Sequence, residues 1–117
     1  VSAPFHCKLM KKATEIMENE IEKLNFNLSE KRLVSNVTGK SINEVTEIKN
    51  LLIKQIESRV KWRDSIKHMT QNGTTDFIEI GPGKVLSGLV KRIDREVKVS
   101  AINTEEDINK FKNTYEF

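Results

Sequence analysis

Leu9, Met10, Ala13, Ile16, Met17, Ile21 and Leu24 recur at three- and four-residue spacing, with Lys11, Lys12, Glu15, Glu18 and Glu22 on the opposite face. That periodicity predicts an amphipathic helix over 8–24, and its apolar stripe is expected to make core contact. Asn25-Phe26-Asn27 breaks the pattern. Arg32-Leu33-Val34-Ser35-Asn36-Val37 is β-branched and partly alternating, which predicts a short strand, and Thr38-Gly39-Lys40 follows as a turn. Val45, Ile48, Leu51, Leu52 and Ile56 predict a second helix over 43–57. Trp62, Ile66 and Met69 predict a third over 61–71. Asn72-Gly73 stops it, because glycine accepts left-handed backbone at a helix end.

Phe77-Ile78-Glu79-Ile80 reads as a short strand running into Gly81-Pro82-Gly83, and Val85, Leu86, Leu89, Val90 and Ile93 then predict another helix. Val97-Lys98-Val99-Ser100-Ala101 alternates as a strand. Thr104, with Asp107 three residues on, resembles a capping box and opens a last helix with Ile108, Phe111 and Tyr115 inward. Helices alternating with short strands indicate an α/β fold with a mostly parallel sheet. Such a sheet needs both faces covered, and three short strands are few for one. The chain is therefore expected to be part of a larger layered structure.

Composition narrows the function. The 117 residues suit one domain, and 37% hydrophobic against 32% charged residues leaves only a thin core. Twenty Lys and Arg against 17 Asp and Glu give a net charge of +3, with an isoelectric point near 9.0. The basic residues are interleaved with acidic ones, so they form a mixed solvated surface; a nucleic-acid stripe needs them clustered. Aromatics at 6% are too few for a base-stacking platform. No run of 18 apolar residues exists to span a membrane, and the first residues carry neither the basic nor the apolar region of a signal peptide. The absence of an initiator Met suggests that the gene begins upstream of Val1. The lone Cys7 cannot form an internal disulfide, which favours a reducing cytoplasm. Two histidines and one cysteine, widely spread, make no metal site.

Few residues could carry chemistry. His6 sits on a loop before the first helix, where an imidazole can act as a general base, although a lone histidine is more often structural or solvated than catalytic. The adjacent Cys7 suggests a Cys–His pair, but neighbouring residues rarely align sulfur and imidazole and no third group orients them; it reads as a small side chain packed at the helix start. His68 lies mid-helix and reads as structural. Glu79-Ile80-Gly81-Pro82-Gly83-Lys84 is a strand–turn–helix unit. It could offer helix N–H groups to an anion, or be only a tight turn, since it lacks a P-loop or dinucleotide pattern. No Gly-x-Ser-x-Gly nucleophile elbow is present.

Several stretches, in order, resemble the malonyl-CoA:acyl carrier protein transacylase family. They are 1–10 around Pro4-Phe5-His6-Cys7, Val34-Ser35-Asn36-Val37-Thr38, Leu51-Leu52-Ile53-Lys54-Gln55-Ile56, Val60-Lys61-Trp62, and 78–93 around Glu79-Ile80-Gly81-Pro82-Gly83-Lys84-Val85-Leu86. The resemblance covers essentially the whole chain and implies the C-terminal part of the larger, hydrolase-like subdomain. In this family a serine on a nucleophile elbow takes malonyl from coenzyme A and passes it to the phosphopantetheine thiol of acyl carrier protein. The resemblance makes His6 the base. It makes the backbone carbonyl of Gln55 the group that orients His6. A Phe before the histidine accompanies malonyl preference in modular synthases, which makes Phe5 substrate-binding, although some discrete enzymes carry a small residue there. Lys91 and Arg92 match a basic pair suited to docking an acidic carrier protein.

The serine, the carboxylate-binding arginine and an oxyanion-hole glutamine have no match in 1–117 and belong to the family's N-terminal portion. The chain alone is thus expected to be inactive, to need that portion as a partner, and to use no resident cofactor or metal. Malonyl-CoA is a substrate, and the phosphopantetheine is carried by the partner. The alternative is a non-catalytic carrier-protein-binding module sharing the fold.

Overall fold

The computed structural model describes residues 4–27 and 29–114. Its contacts divide the chain into two units, residues 1–65 and 66–117. The first three residues of the His6 stretch and the expected inward Tyr115 lie outside the described residues.

In the first unit, the helix expected over 8–24 begins as a tight 3-10 turn, Lys8–Met10, and continues as α1, Lys11–Glu22. It meets α2, Val45–Gln55, near its C-terminal end. There Lys49 Nζ donates to the terminal carbonyl of Glu22 at 3.1 Å and lies 5.6 Å from the centre of the Phe26 ring. A lysine at this position satisfies an orphan carbonyl and complements the negative end of the helix dipole. Ile21 and Leu51 are buried. The expectation that the whole α1 stripe is core is corrected: Leu9 is 77% exposed, and Ile16, Met17 and Leu24 are exposed as well. Amphipathicity marks a face that must be covered; here Ile21 is buried and Met10 and Ala13 are half-buried.

The strand expected over 32–37 is also corrected. Only Leu33–Val34 (β1) is extended, paired antiparallel with Ser41–Ile42 (β2). The buried Ser35 bends the chain. Its hydroxyl accepts the Val37 N–H at 3.1 Å, its carbonyl accepts Gly39 N–H at 2.8 Å, and its own N–H donates to Lys40 at 3.0 Å. A serine that bonds the backbone two residues on competes directly with a strand ladder. Gly39 closes the turn at φ +70, where a Cβ would stand 2.8 Å from Asp64 Cβ. The chain reaches α3, Trp62–Gln71, through Lys61, whose N–H donates to the Asn36 carbonyl at 2.8 Å.

The second unit is a strand–helix–strand–helix run: β3 (Asp76–Ile80), α4 (Val85–Ile93), β4 (Lys98–Ile102) and α5 (Glu105–Thr114). The two strands pair in parallel, from Asp76 opposite Lys98 to Ile80 opposite Ile102. This is the expected α/β arrangement. Val97, expected as the strand's first residue, is instead a buried residue just ahead of it. Thr104 and Asp107 close the expected capping box. Thr104 Oγ1 accepts the Asp107 N–H at 3.2 Å, and the Asp107 carboxylate accepts the N–H groups of Asn103 and Thr104, each at 3.0 Å. Those bonds, led by the Asn103 N–H, hold the Asp107 carboxyl below its ordinary range. Ile78 and Ile80, on one face of β3, are exposed, Ile80 at 80%.

Candidate active site

His6 and Gln55 are 49 residues apart and meet directly. The His6 Nδ1 lies 2.8 Å from the Gln55 carbonyl oxygen. Local structure at both ends explains the contact. Gln55 is the last residue of α2, and beyond it the chain tightens. Ile56 N–H bonds to Ile53, while Glu57 and Ser58 N–H bond to Lys54. The Gln55 carbonyl is left at the helix end, among the acceptors that an α-helix cannot satisfy internally. His6 approaches it from a backbone in the left-handed region, φ 56, the only described non-glycine residue with positive φ. Side chains larger than glycine's adopt that region at a cost, and such residues cluster at functional sites.

A carbonyl only accepts hydrogen bonds, so the proton of a neutral His6 ring sits on Nδ1. The lone pair is then on Nε2. The negative end of α2 also suits the positive charge that the ring acquires when Nε2 takes a proton. His6 is exposed, so Nε2 is reachable from outside the unit.

Phe5 precedes it and is 54% exposed. Cys7 does not pair with the imidazole: its half-buried thiol donates to the Pro4 carbonyl at 3.1 Å, as a small group packed at the helix start.

The glycine turn of the second unit proves to be a tight connection. Gly81 and Gly83 take φ of +138 and +92, which admits a sharp reversal between β3 and α4. Two of the helix N–H groups that could have met an external anion are occupied. Glu79 Oε1 accepts the Leu86 N–H at 3.1 Å, and Oε2 accepts the Ser87 N–H at 2.7 Å and the Ser87 hydroxyl at 2.6 Å. The Ser87 hydroxyl and N–H, with the Leu86 N–H, pull the Glu79 carboxyl below its ordinary range. Lys91 and Arg92 are exposed in the last turn of α4. Lys91 Nζ donates to the carbonyls of Arg95 at 3.3 Å and Val97 at 2.5 Å, so it also fastens the turn into β4.

Asn36 was given no role by the sequence, yet its side chain meets that of Gln55. Its place in a segment resembling a strand hid the turn that brings it there.

No protein-family model matches the chain. It is 42% identical over 108 residues to the malonyl CoA-acyl carrier protein transacylase of Bacillus subtilis, covering 92% of this chain and 34% of that protein. The acyl-carrier-protein S-malonyltransferase of Bartonella henselae superposes with a TM-score of 0.88 at 36% identity, over 97% of this chain and 36% of that one. A solved complex of a holo type II PKS acyl-carrier protein with its malonyl-transacylase superposes with a TM-score of 0.84 at 33% identity, again over 97% of this chain and 37% of that one. The chain thus spans about a third of the length of the relatives it matches. Over nearly its whole length, in sequence and in fold, this chain is homologous to the C-terminal part of the malonyl CoA-acyl carrier protein transacylases.

Proposed function

We propose that these residues supply the general base of a malonyl CoA-acyl carrier protein transacylase, working with a serine carried by an N-terminal portion outside this chain. The observation that carries the reading is the bond from His6 Nδ1 to the Gln55 carbonyl, which leaves Nε2 as the basic nitrogen.

In the first half-reaction Nε2 takes the serine hydroxyl proton as the oxygen attacks the malonyl thioester carbonyl. The tetrahedral intermediate collapses, the carbon–sulfur bond breaks, and the imidazolium returns its proton to the departing coenzyme A sulfur. The second half-reaction runs in the opposite sense. Nε2 takes the proton of the carrier protein's phosphopantetheine thiol, sulfur attacks the malonyl ester, and the serine oxygen regains its proton. A main-chain carbonyl stabilises the transient imidazolium less than a carboxylate would, and a thioester, with its good leaving group, asks for less help than an amide. A thioester needs no resident cofactor or metal for this exchange. Phe5, beside the base, would crowd an α-substituted acyl group and favour malonyl. Lys91 and Arg92 would meet the acidic carrier protein. The setting is the cytoplasm; no described helix is long and apolar enough to cross a membrane.

His6→Ala in the complete enzyme tests the reading. Acyl-enzyme formation should fall by about 10²–10⁴-fold, the range for losing a general base, with the melting curve little changed. A variant that loads malonyl at the native rate removes His6 from the mechanism. A non-catalytic carrier-binding module would give no acyl-enzyme with either residue.

A further inference from the structure

The side chain of Gln55, whose carbonyl orients His6, is itself held. Asn36 Nδ2 donates to Gln55 Oε1 at 3.4 Å. Both residues are half-buried and line a cavity of about 150 Å³ together with Val34, Ser35 and Leu51. The Asn36 main chain is fixed from two directions. Its carbonyl accepts the Lys61 N–H at 2.8 Å, and the turn containing it is closed by the bonds that Ser35 makes to Val37, Gly39 and Lys40. Gln55 is in the opposite situation. It is the last residue of α2, where helices fray and the local bonds go to Ile53 and Lys54 instead.

We propose that Asn36 is a positioning residue for the acyl transfer: its amide pins the Gln55 side chain and thereby holds the terminal carbonyl of α2 where it sets the tautomer and tilt of His6. The proposal rests on His6 being the base. Asn36 touches no reacting atom and acts only through Gln55. The arrangement answers a physical difficulty. A main-chain carbonyl at a helix end is a weaker anchor than a buried carboxylate, and a small shift of its oxygen would loosen the bond that distinguishes the two ring nitrogens.

The test uses the complete enzyme in three forms: Asn36→Leu, Gln55→Leu and the double variant. Leucine keeps the branched outline of the asparagine side chain and removes its amide. In Gln55→Leu the side-chain partner is lost while the carbonyl that His6 uses remains. The losses share one bond, so each single variant and the double should lower kcat/KM for malonyl-CoA by the same factor, about two- to tenfold. In ¹⁵N-histidine-labelled protein at a pH where the ring is neutral, the His6 signals should move from the Nδ1–H tautomer toward a mixture of both. A purely structural role would lower stability without moving the tautomer. Multiplicative losses in the double variant, or a native tautomer in Asn36→Leu, overturn the proposal and leave His6 as base. A native enzyme whose proton sits on Nε2 overturns the base reading as well. Should Asn36→Leu fail to fold, Gln55→Leu alone decides: an unchanged His6 tautomer in it overturns the clamp.

Discussion

The His6 ring is anchored to an atom that no side chain carries. The Gln55 carbonyl is chemically the same as every other main-chain carbonyl, so nothing in the residue type at position 55 reveals it. What distinguishes it is its place at the end of α2, where the internal bonding of the helix stops. The residue could be read from the family resemblance alone, whereas His6 was legible as a candidate from its position on a loop before a helix. Lys91 and Arg92 were read as a pair, and the structure separates their surroundings. Lys91 is bonded to Arg95 and Val97, which ties part of its charge to the turn. Arg92→Glu should therefore raise the apparent KM for acyl carrier protein in the complete enzyme with little effect on malonyl loading, mainly through slower association, and the effect should shrink with added salt. Lys91→Glu should show the same trend together with a lower melting temperature. Equal effects on both substrates in the Arg92 variant would count against docking at this helix end.

The elements themselves were largely readable, since α1, α2, α3, α4 and α5 announce themselves by apolar spacing and α5 also by Thr104 and Asp107. β2 and the true extent of β1 were not, because a two-residue hairpin is too short to show alternation and Ser35 diverts the chain after Val34. Capping makes these elements testable. Thr104→Ala removes the acceptor for the Asp107 N–H and should cost about 0.5–2 kcal/mol in chemical denaturation. Gly39→Ala must keep a left-handed φ and push against Asp64 Cβ, and should cost about 1–3 kcal/mol.

Glu79 performs at α4 what Thr104 and Asp107 perform at α5, reaching over from a strand. Its folded carboxyl titrates below its unfolded value, as does that of Asp107. The stabilisation is therefore complete above the ordinary carboxylate range and is lost as pH falls through the lowered folded values. Glu79→Gln should melt below the native protein at neutral pH, with the gap closing on acidification; a gap independent of pH would show that the carboxylate charge is not what holds α4.

Taken as one polypeptide, the chain carries apolar surface that its own units do not cover. In the first unit Phe5, Leu9, Ile16, Met17 and Leu24 are exposed, and in the second Ile78, Ile80 and Val85 are, the last at 72%. Scattered exposed apolar residues are ordinary, but a parallel strand pair with isoleucines facing outward is not, since parallel sheets are normally covered on both faces. The relatives it matches are about three times as long. Purified alone, the 117 residues should transfer no malonyl above buffer, because they hold no serine elbow, and the chain should bind a hydrophobic dye more strongly than when refolded with a serine-bearing N-terminal portion. Robust transfer by the isolated chain that Cys7→Ala abolishes would make the thiol a nucleophile after all. The two-unit division was not legible, since the apolar spacing of α3 runs evenly across residues 65 and 66.

The left-handed backbone of His6 sets chemistry against conformation at a single position. Glycine adopts φ 56 freely and alanine does not, so the usual order of the two should reverse there. Both His6→Gly and His6→Ala lose the bond to Gln55, yet the glycine form should be the more stable by about 1 kcal/mol. Were the imidazole no longer under selection, drift at this site should run toward glycine, and a glycine at the corresponding place in a homologue would mark a lineage that kept the scaffold without the proposed base.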